Sequence, residues 1–168
     1  MKSTVKTGCG IVVAIALFFS TWAAAQERGP VTNLPLPRFV SMKATEANIR
    51  RGPSLTHKID WVYKQKDIPL QIIAEHGHWR QVRDRDGAGG WIHYSLLSGA
   101  RTVLVERDML ALRKTPTPDG VPQAHLELGV VARIEKCELG WCRLSAGGYK
   151  GWAEKVFVWG VGTNEILE

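Results

Sequence analysis

A chain of 168 residues that is 45% hydrophobic and 23% charged has room for one domain of average size or two small ones with thin cores, and lies far from the low-hydrophobicity signature of disorder. The formal charge of +6 is a mild excess that by itself speaks for a solvated surface rather than for any one anionic partner, and nucleic acid is not expected among the partners.

Residues 1–25 read as a secretory signal peptide. Lys2 and Lys6 form a positive n-region, Ile11 to Phe19 an apolar h-region, and Ala23 to Ala25 the small-residue cleavage pattern. The apolar run is shorter than the ~20 residues that span a bilayer comfortably, so no stable membrane span is expected after cleavage. Cys9 precedes the run, which argues against lipid attachment there. An exported chain, periplasmic or associated with the cell envelope, is the expectation. The remaining charge is uneven: residues 38–101 hold eleven Lys and Arg against six Asp and Glu, and residues 102–168 hold eight against nine. Residues 26–39 are Pro-rich and read as an extended, mobile linker.

From residue 40 onward the chain repeats itself. Asn48 to Ser54 (NIRRGPS) lies over Ala111 to Thr117 (ALRKTPT), Ile72 over Ile134, Trp79 over Trp141, and Gly90-Trp91 over Gly151-Trp152, at offsets that drift only from 63 to 61. Domains are expected over 40–100 and 101–163. Each copy reads as short strands: QIIAEH, WRQVRD and GGWIHY in the first, VVARIEK, WCRLSA and YKGWAEK in the second. These are rich in β-branched and aromatic residues and are separated by Gly, Asp and Ser. Arg85 to Gly90 and Ser145 to Gly151 have hairpin-turn composition. No stretch after the leader sustains a helical period over three turns. The architecture expected is all-β, a small barrel or sandwich in two copies.

Cys137 and Cys142 are the two cysteines outside the leader. An oxidising compartment lets them pair, and the intervening Gly140 suits a hairpin that brings cross-strand Cβ atoms within disulfide reach. The spacing is not that of a redox-active Cys-x-x-Cys, so a structural staple is expected.

Asn-Ile-Arg-Arg-Gly-Pro-Ser, then an apolar strand, then Gly-x-Trp-x-x-Val, then Gly-Trp-Ile, resembles the bacterial SH3-like (SH3b) domain. The resemblance covers residues 43–99 well and 104–160 less well, where Thr115 replaces the glycine of Gly-Pro-Ser. It implies two SH3-like bent β-barrels of five or six strands in tandem, a module that binds and does not catalyse. Members often accompany cell-wall hydrolases or contact peptidoglycan. The tryptophan in Trp79's position, and the residue in His93's, are implied to line a ligand groove.

Alternation along each strand sorts these residues by face. Trp79 lies opposite Val82 and Trp141 opposite Leu144, so the aliphatic residue of each pair is expected inside and the tryptophan toward a surface or groove. Ile92 and Tyr94 share one face, Trp91 and His93 the other. The candidate groove is Trp79, Trp91, His93 and Tyr94, with Arg50 and Arg80 able to clamp a carboxylate. Against this, a domain of about sixty residues has so little core that large aromatics often fill it. Trp91 and Trp152 are expected inside on that ground, and Trp79 is left open. Glu154 takes the place of His93 and Lys155 that of Tyr94, so the second groove has different chemistry.

His76 and His78, with His57 or His93, lack a matching carboxylate or cysteine, and no metal or other cofactor is expected. No nucleophile with its base and no carboxylate pair flanking a cleft is visible, so an enzyme is not expected. The function expected is non-catalytic binding of an envelope component, a cell-wall peptide or glycan. The alternative is a protein-interaction module that docks on or regulates an envelope protein through an apolar patch around Val156 to Gly162.

Overall fold

The computed structural model describes residues 26–168, so the leader expectation lies outside the described residues. The first repeat forms β1 (Arg38–Met42), β2 (Ala47–Arg50), β3 (Ile59–Tyr63), β4 (Pro69–His76), β5 (Trp79–Arg83), β6 (Gly89–His93) and β7 (Leu97–Ser98). The second forms β8 (Thr102–Val105), β9 (Leu110–Arg113), β10 (Pro122–Leu126), β11 (Val131–Cys137), β12 (Trp141–Ala146), β13 (Tyr149–Glu154) and β14 (Val158–Trp159). The first sheet runs β3-β2-β6-β5-β4-β1-β7, and the second runs β10-β9-β13-β12-β11-β8-β14. Adding seven to each label of the first gives the second, so the sequence repeat is a repeat of topology. Each sheet has one strand more than the largest number expected, because the chain after each single-turn 3-10 helix (Tyr94–Leu96 and Lys155–Phe157) pairs back for two residues.

Period-two alternation sets the cores. Met42, Ile49, Leu70, Ile72, Val82 and Ile92 fill the first, and Val103, Leu112, Ile134, Leu144 and Ala153 belong to the second. Val82 and Leu144 thus lie inside as expected, with Trp79 and Trp141 on the opposite face. Trp91 and Trp152 belong to neither core, contrary to the expectation drawn from their size. Alternation explains why: Ile92 and Ala153, the next residues along, hold the inward positions, and the preceding glycines lie against the neighbouring strand. A Cβ at Gly90 would sit 2.7 Å from the Arg50 carbonyl oxygen, and one at Gly151 2.8 Å from the Leu112 Cβ. Gly-Trp recurs because each glycine lets β6 or β13 bend tightly over β2 or β9, while its tryptophan turns outward.

Residues 27–37 are not an extended linker. Gly29 N donates to the Leu34 carbonyl at 2.8 Å and Leu36 N to the Glu27 carbonyl at 2.8 Å, closing a turn that lies against the first barrel and sends Leu36 into its core. The turn is held by Glu75, whose fully buried carboxylate accepts from Thr32 N (2.9 Å), Thr32 Oγ1 (2.7 Å), Val31 N (3.1 Å) and Arg38 Nη2 (2.6 Å). A Cβ on Gly29 would collide with that carboxylate at 2.3 Å. Beyond the second barrel Leu167 exchanges two backbone hydrogen bonds with Cys137 and packs on the second core.

The domains touch. Phe39 and Trp159 meet edge to face at 5.1 Å, Thr102 Oγ1 donates to the Asp67 carbonyl at 2.7 Å, and Arg85 pairs with Glu106 at 2.7 Å.

Candidate functional site

The outer face of β5 and β6 carries the site. Arg80 and Val82 are buried, so Trp79 and Gln81 face out; Ile92 is buried, so Trp91 and His93 face out with them. Register sets Trp79 directly across from His93, with ring centroids 5.6 Å apart and edge to face. The strand ends at His93, which accepts from Ser95 N and so caps the following 3-10 turn. That turn swings Tyr94 out of the alternation, away from Ile92's face and onto the aromatic side. Tyr94 lies 5.0 Å from His93 and 5.6 Å from His78, and half of its surface is exposed. The result is one surface patch in which Tyr94 and His78 are exposed and Trp79 and His93 half-buried. Aromatic rings of this kind offer stacking area at the cost of few frozen rotamers.

Trp91 and Arg50 lie further along the same sheet, paired across β2 and β6, with His76 6.5 Å from the Trp91 ring. One Arg50 nitrogen, Nη1, is tethered to the His57 carbonyl at 2.7 Å and the Leu55 carbonyl at 3.1 Å.

Arg80 is not a ligand clamp. Its guanidinium is buried, with Nε 3.5 Å from Glu75 Oε1 and Nη1 donating to the Gly77 and Trp79 carbonyls. Parity explains the correction: Arg80 and Val82 are two apart and share the inward face. Sequence reasoning also missed Glu75, although its equivalence to Cys137 at the repeat offset is a signal that could have found it. His78, weighed from the sequence only as a metal ligand, packs against His93 and Tyr94 in the patch. Burial alone would raise the Glu75 pKa, but hydrogen bonds from Thr32, Arg38 and Val31 outweigh it and hold the group down from 4.5 to about 2.

The equivalent face of the second domain is built differently. Trp141 lies across from Glu154, Gly140 stands in place of His78, and Lys155 is buried with its Nζ on the Glu165 carbonyl. The missing rings leave clefts on both sides of Trp141. Cys137 and Cys142, opposite each other across the β11–β12 hairpin, form a disulfide. The apolar segment Val156 to Gly162 is largely used inside the molecule, with Val158 buried and Trp159 against Phe39.

Two barrels of identical topology, one bearing an aromatic patch and the other a mixed polar cleft, define a class of protein: a tandem of small all-β modules. The chain belongs to the bacterial SH3 domain family, whose model matches residues 43–99 and again 106–160. Domains of this family are commonly cell-wall binding modules and are typically not catalytic. No curated protein matches the chain. Among solved structures it is similar to NlpC1 from Trichomonas vaginalis at 13% identity and a TM-score of 0.34, covering 73% of this chain and 45% of that one. It is likewise similar to NlpC2 from the same organism, at 12% identity and a TM-score of 0.35, covering 73% and 48%. The chain thus spans less than half of either protein, and nothing further rests on these likenesses.

Proposed function

We propose that the protein is exported and binds a cell-envelope component without catalysis, namely the peptide or glycan of peptidoglycan, through the outer face of its first domain. The observation that carries this reading is the convergence of Trp79, His93, Tyr94 and His78 on one surface patch, beside Trp91 and Arg50. Sugar rings and peptide planes stack on such a surface, and Arg50 supplies the nearby positive charge for a carboxylate. With Arg80 turned inward, charge contributes less than stacking does.

The test is co-sedimentation of the protein lacking residues 1–25 with purified peptidoglycan sacculi, across a salt series. Trp79→Ala, at a position outside the core, should melt normally and bind about thirtyfold more weakly, the loss expected of a central aromatic contact worth about 2 kcal/mol. Pelleting that survives this change in a folded protein overturns the assignment of the face.

A further inference from the structure

The second domain carries a cleft whose chemistry the first lacks. Register places His125 of β10 opposite Ala111 of β9, Arg113 opposite Trp152 of β13, and Trp141 of β12 opposite Glu154. Ala111, Arg113, His125, Trp141 and Glu154, together with Arg107 from the β8–β9 turn, line a cleft of about 220 Å³. Its cations are held in place from outside. The Arg107 guanidinium sits 4.3 Å from the centre of the Phe157 ring, and Arg113 Nη1 donates to the Gly120 carbonyl at 2.8 Å.

The charges that line the cleft do not pair with one another. Among the described residues, neither Arg107 nor Arg113 forms an ion pair with a carboxylate, and Glu154 forms none with a cation, although all three line one cleft. A cleft lined by two arginines without an acid partner and a carboxylate without a cation is complementary to a ligand that carries both charges. On the other side of Trp141 a larger cleft of about 570 Å³ is lined by Glu154 and Lys155 together with Gly140, Val156, Val158 and Val161, so Trp141 and Glu154 border both clefts and the second adds apolar surface. In the first domain the counterparts of Glu154, Gly140 and Lys155 are His93, His78 and Tyr94, which pack on one another instead.

We propose that this cleft binds a short peptide carrying both a free ammonium and a free carboxylate: the carboxylate on Arg107 and Arg113, the ammonium on Glu154, and the intervening backbone against Trp141. The site is separate from the aromatic face of the first domain and does not depend on that face binding anything.

The experiment is an NMR titration of the two-domain protein with the dipeptide Ala-Ala, its N-acetylated form, its C-terminal amide, and free alanine. Ala-Ala should shift the signals of Gly140, the Trp141 indole and Glu154, and each blocked dipeptide should bind about tenfold more weakly, the loss of one charge-assisted contact. Free alanine separates the two sources of this chemistry: equal affinity for alanine would place a single amino acid in the cleft and overturn the peptide assignment. Glu154→Gln should make Ala-Ala and its acetylated form bind alike, and Arg113→Gln should do the same for Ala-Ala and its amide. No shift at these residues, or equal shifts from blocked and free dipeptides, overturns the proposal. Should a variant fail to fold, the blocked series on the unaltered protein decides. A defined dipeptide and residue-specific signals keep this result independent of whether sacculi are bound.

Discussion

In the first domain the residues facing each other across the β4–β5 hairpin are Glu75 and Arg80; in the second, the equivalent residues across β11–β12 are Cys137 and Cys142. Both pairs sit at the same offset of 62 and both are buried. One fold thus closes the same hairpin with an ion pair in one copy and a covalent bond in the other. Each position also receives a segment from outside its barrel: Glu75 holds the turn of residues 27–37, and the Cys137 backbone holds Leu167. The difference teaches what each chemistry permits. A disulfide satisfies itself and leaves only its backbone to dock a tail. A buried carboxylate demands partners, and it obtains them by ordering eleven residues that sequence composition alone reads as a linker.

Removing the carboxylate is the most damaging way to break this comparison. Glu75→Ala leaves Arg38 and Arg80 without their acid, and the loss of one partner from a buried pair costs about 3 to 5 kcal/mol. Thermal melting should show the first domain unfolding early, and limited proteolysis should cut within residues 28–34; an unchanged melting curve would contradict the role given to Glu75.

Acid attacks the same pair without mutation. Glu75 is depressed from 4.5 to about 2, so its contribution is fully present above pH 4.5 and is lost as pH falls toward 2. Glu165 is also held low, since Arg101 and the Gly162 amide outweigh its burial, and the C-terminal tail loosens in acid too. The cross-strand staple of the second domain does not titrate. Melting curves at pH 7 and pH 3 should therefore show the first domain losing more than the second.

Reduction inverts the test. The disulfide joins residues only five apart, and a loop this short is worth about 2 kcal/mol. Reductant should lower the melting temperature of the second domain alone. The double variant Glu75→Cys with Arg80→Cys places a staple at the equivalent register of the first domain. It should give a barrel whose melting no longer responds to acid through Glu75, while residues 28–34 become protease-sensitive.

The smallest effect belongs to the contact between the copies. Thr102→Val removes the hydrogen bond to the Asp67 carbonyl and should cost about 1 kcal/mol, read as a small loss of coupling between the two unfolding transitions.

Much of this was legible in the residues. The repeat offset, the three central strands of each copy and the inward placement of Val82 and Leu144 follow from periods that survive without knowledge of the fold, because side chains on a strand alternate whatever it pairs with. The disulfide followed from two cysteines flanking a hairpin. The outermost strands were less legible: β3 is largely exposed and β10 begins with Pro122, so neither has the apolar alternation of a buried strand. Alternation places Tyr94 on the face of Ile92, but it does not hold past His93, where the strand gives way to a 3-10 turn. The size of Trp91 and Trp152 points inward, but alternation gives the inward positions to their neighbours Ile92 and Ala153.

The sequence by itself determined that the chain holds two copies of one β unit and which side of each strand is apolar, since both are properties of spacing along the chain. Only the tertiary structure decided which charges are free. Arg80 and Arg50 are both arginines on strands of the same domain, yet one is consumed by Glu75 and the other lies on the outer face. The physical reason is that burial of an ion pair depends on residues distant in sequence, here the turn at Thr32 and Arg38 closing over a carboxylate more than thirty-five residues away.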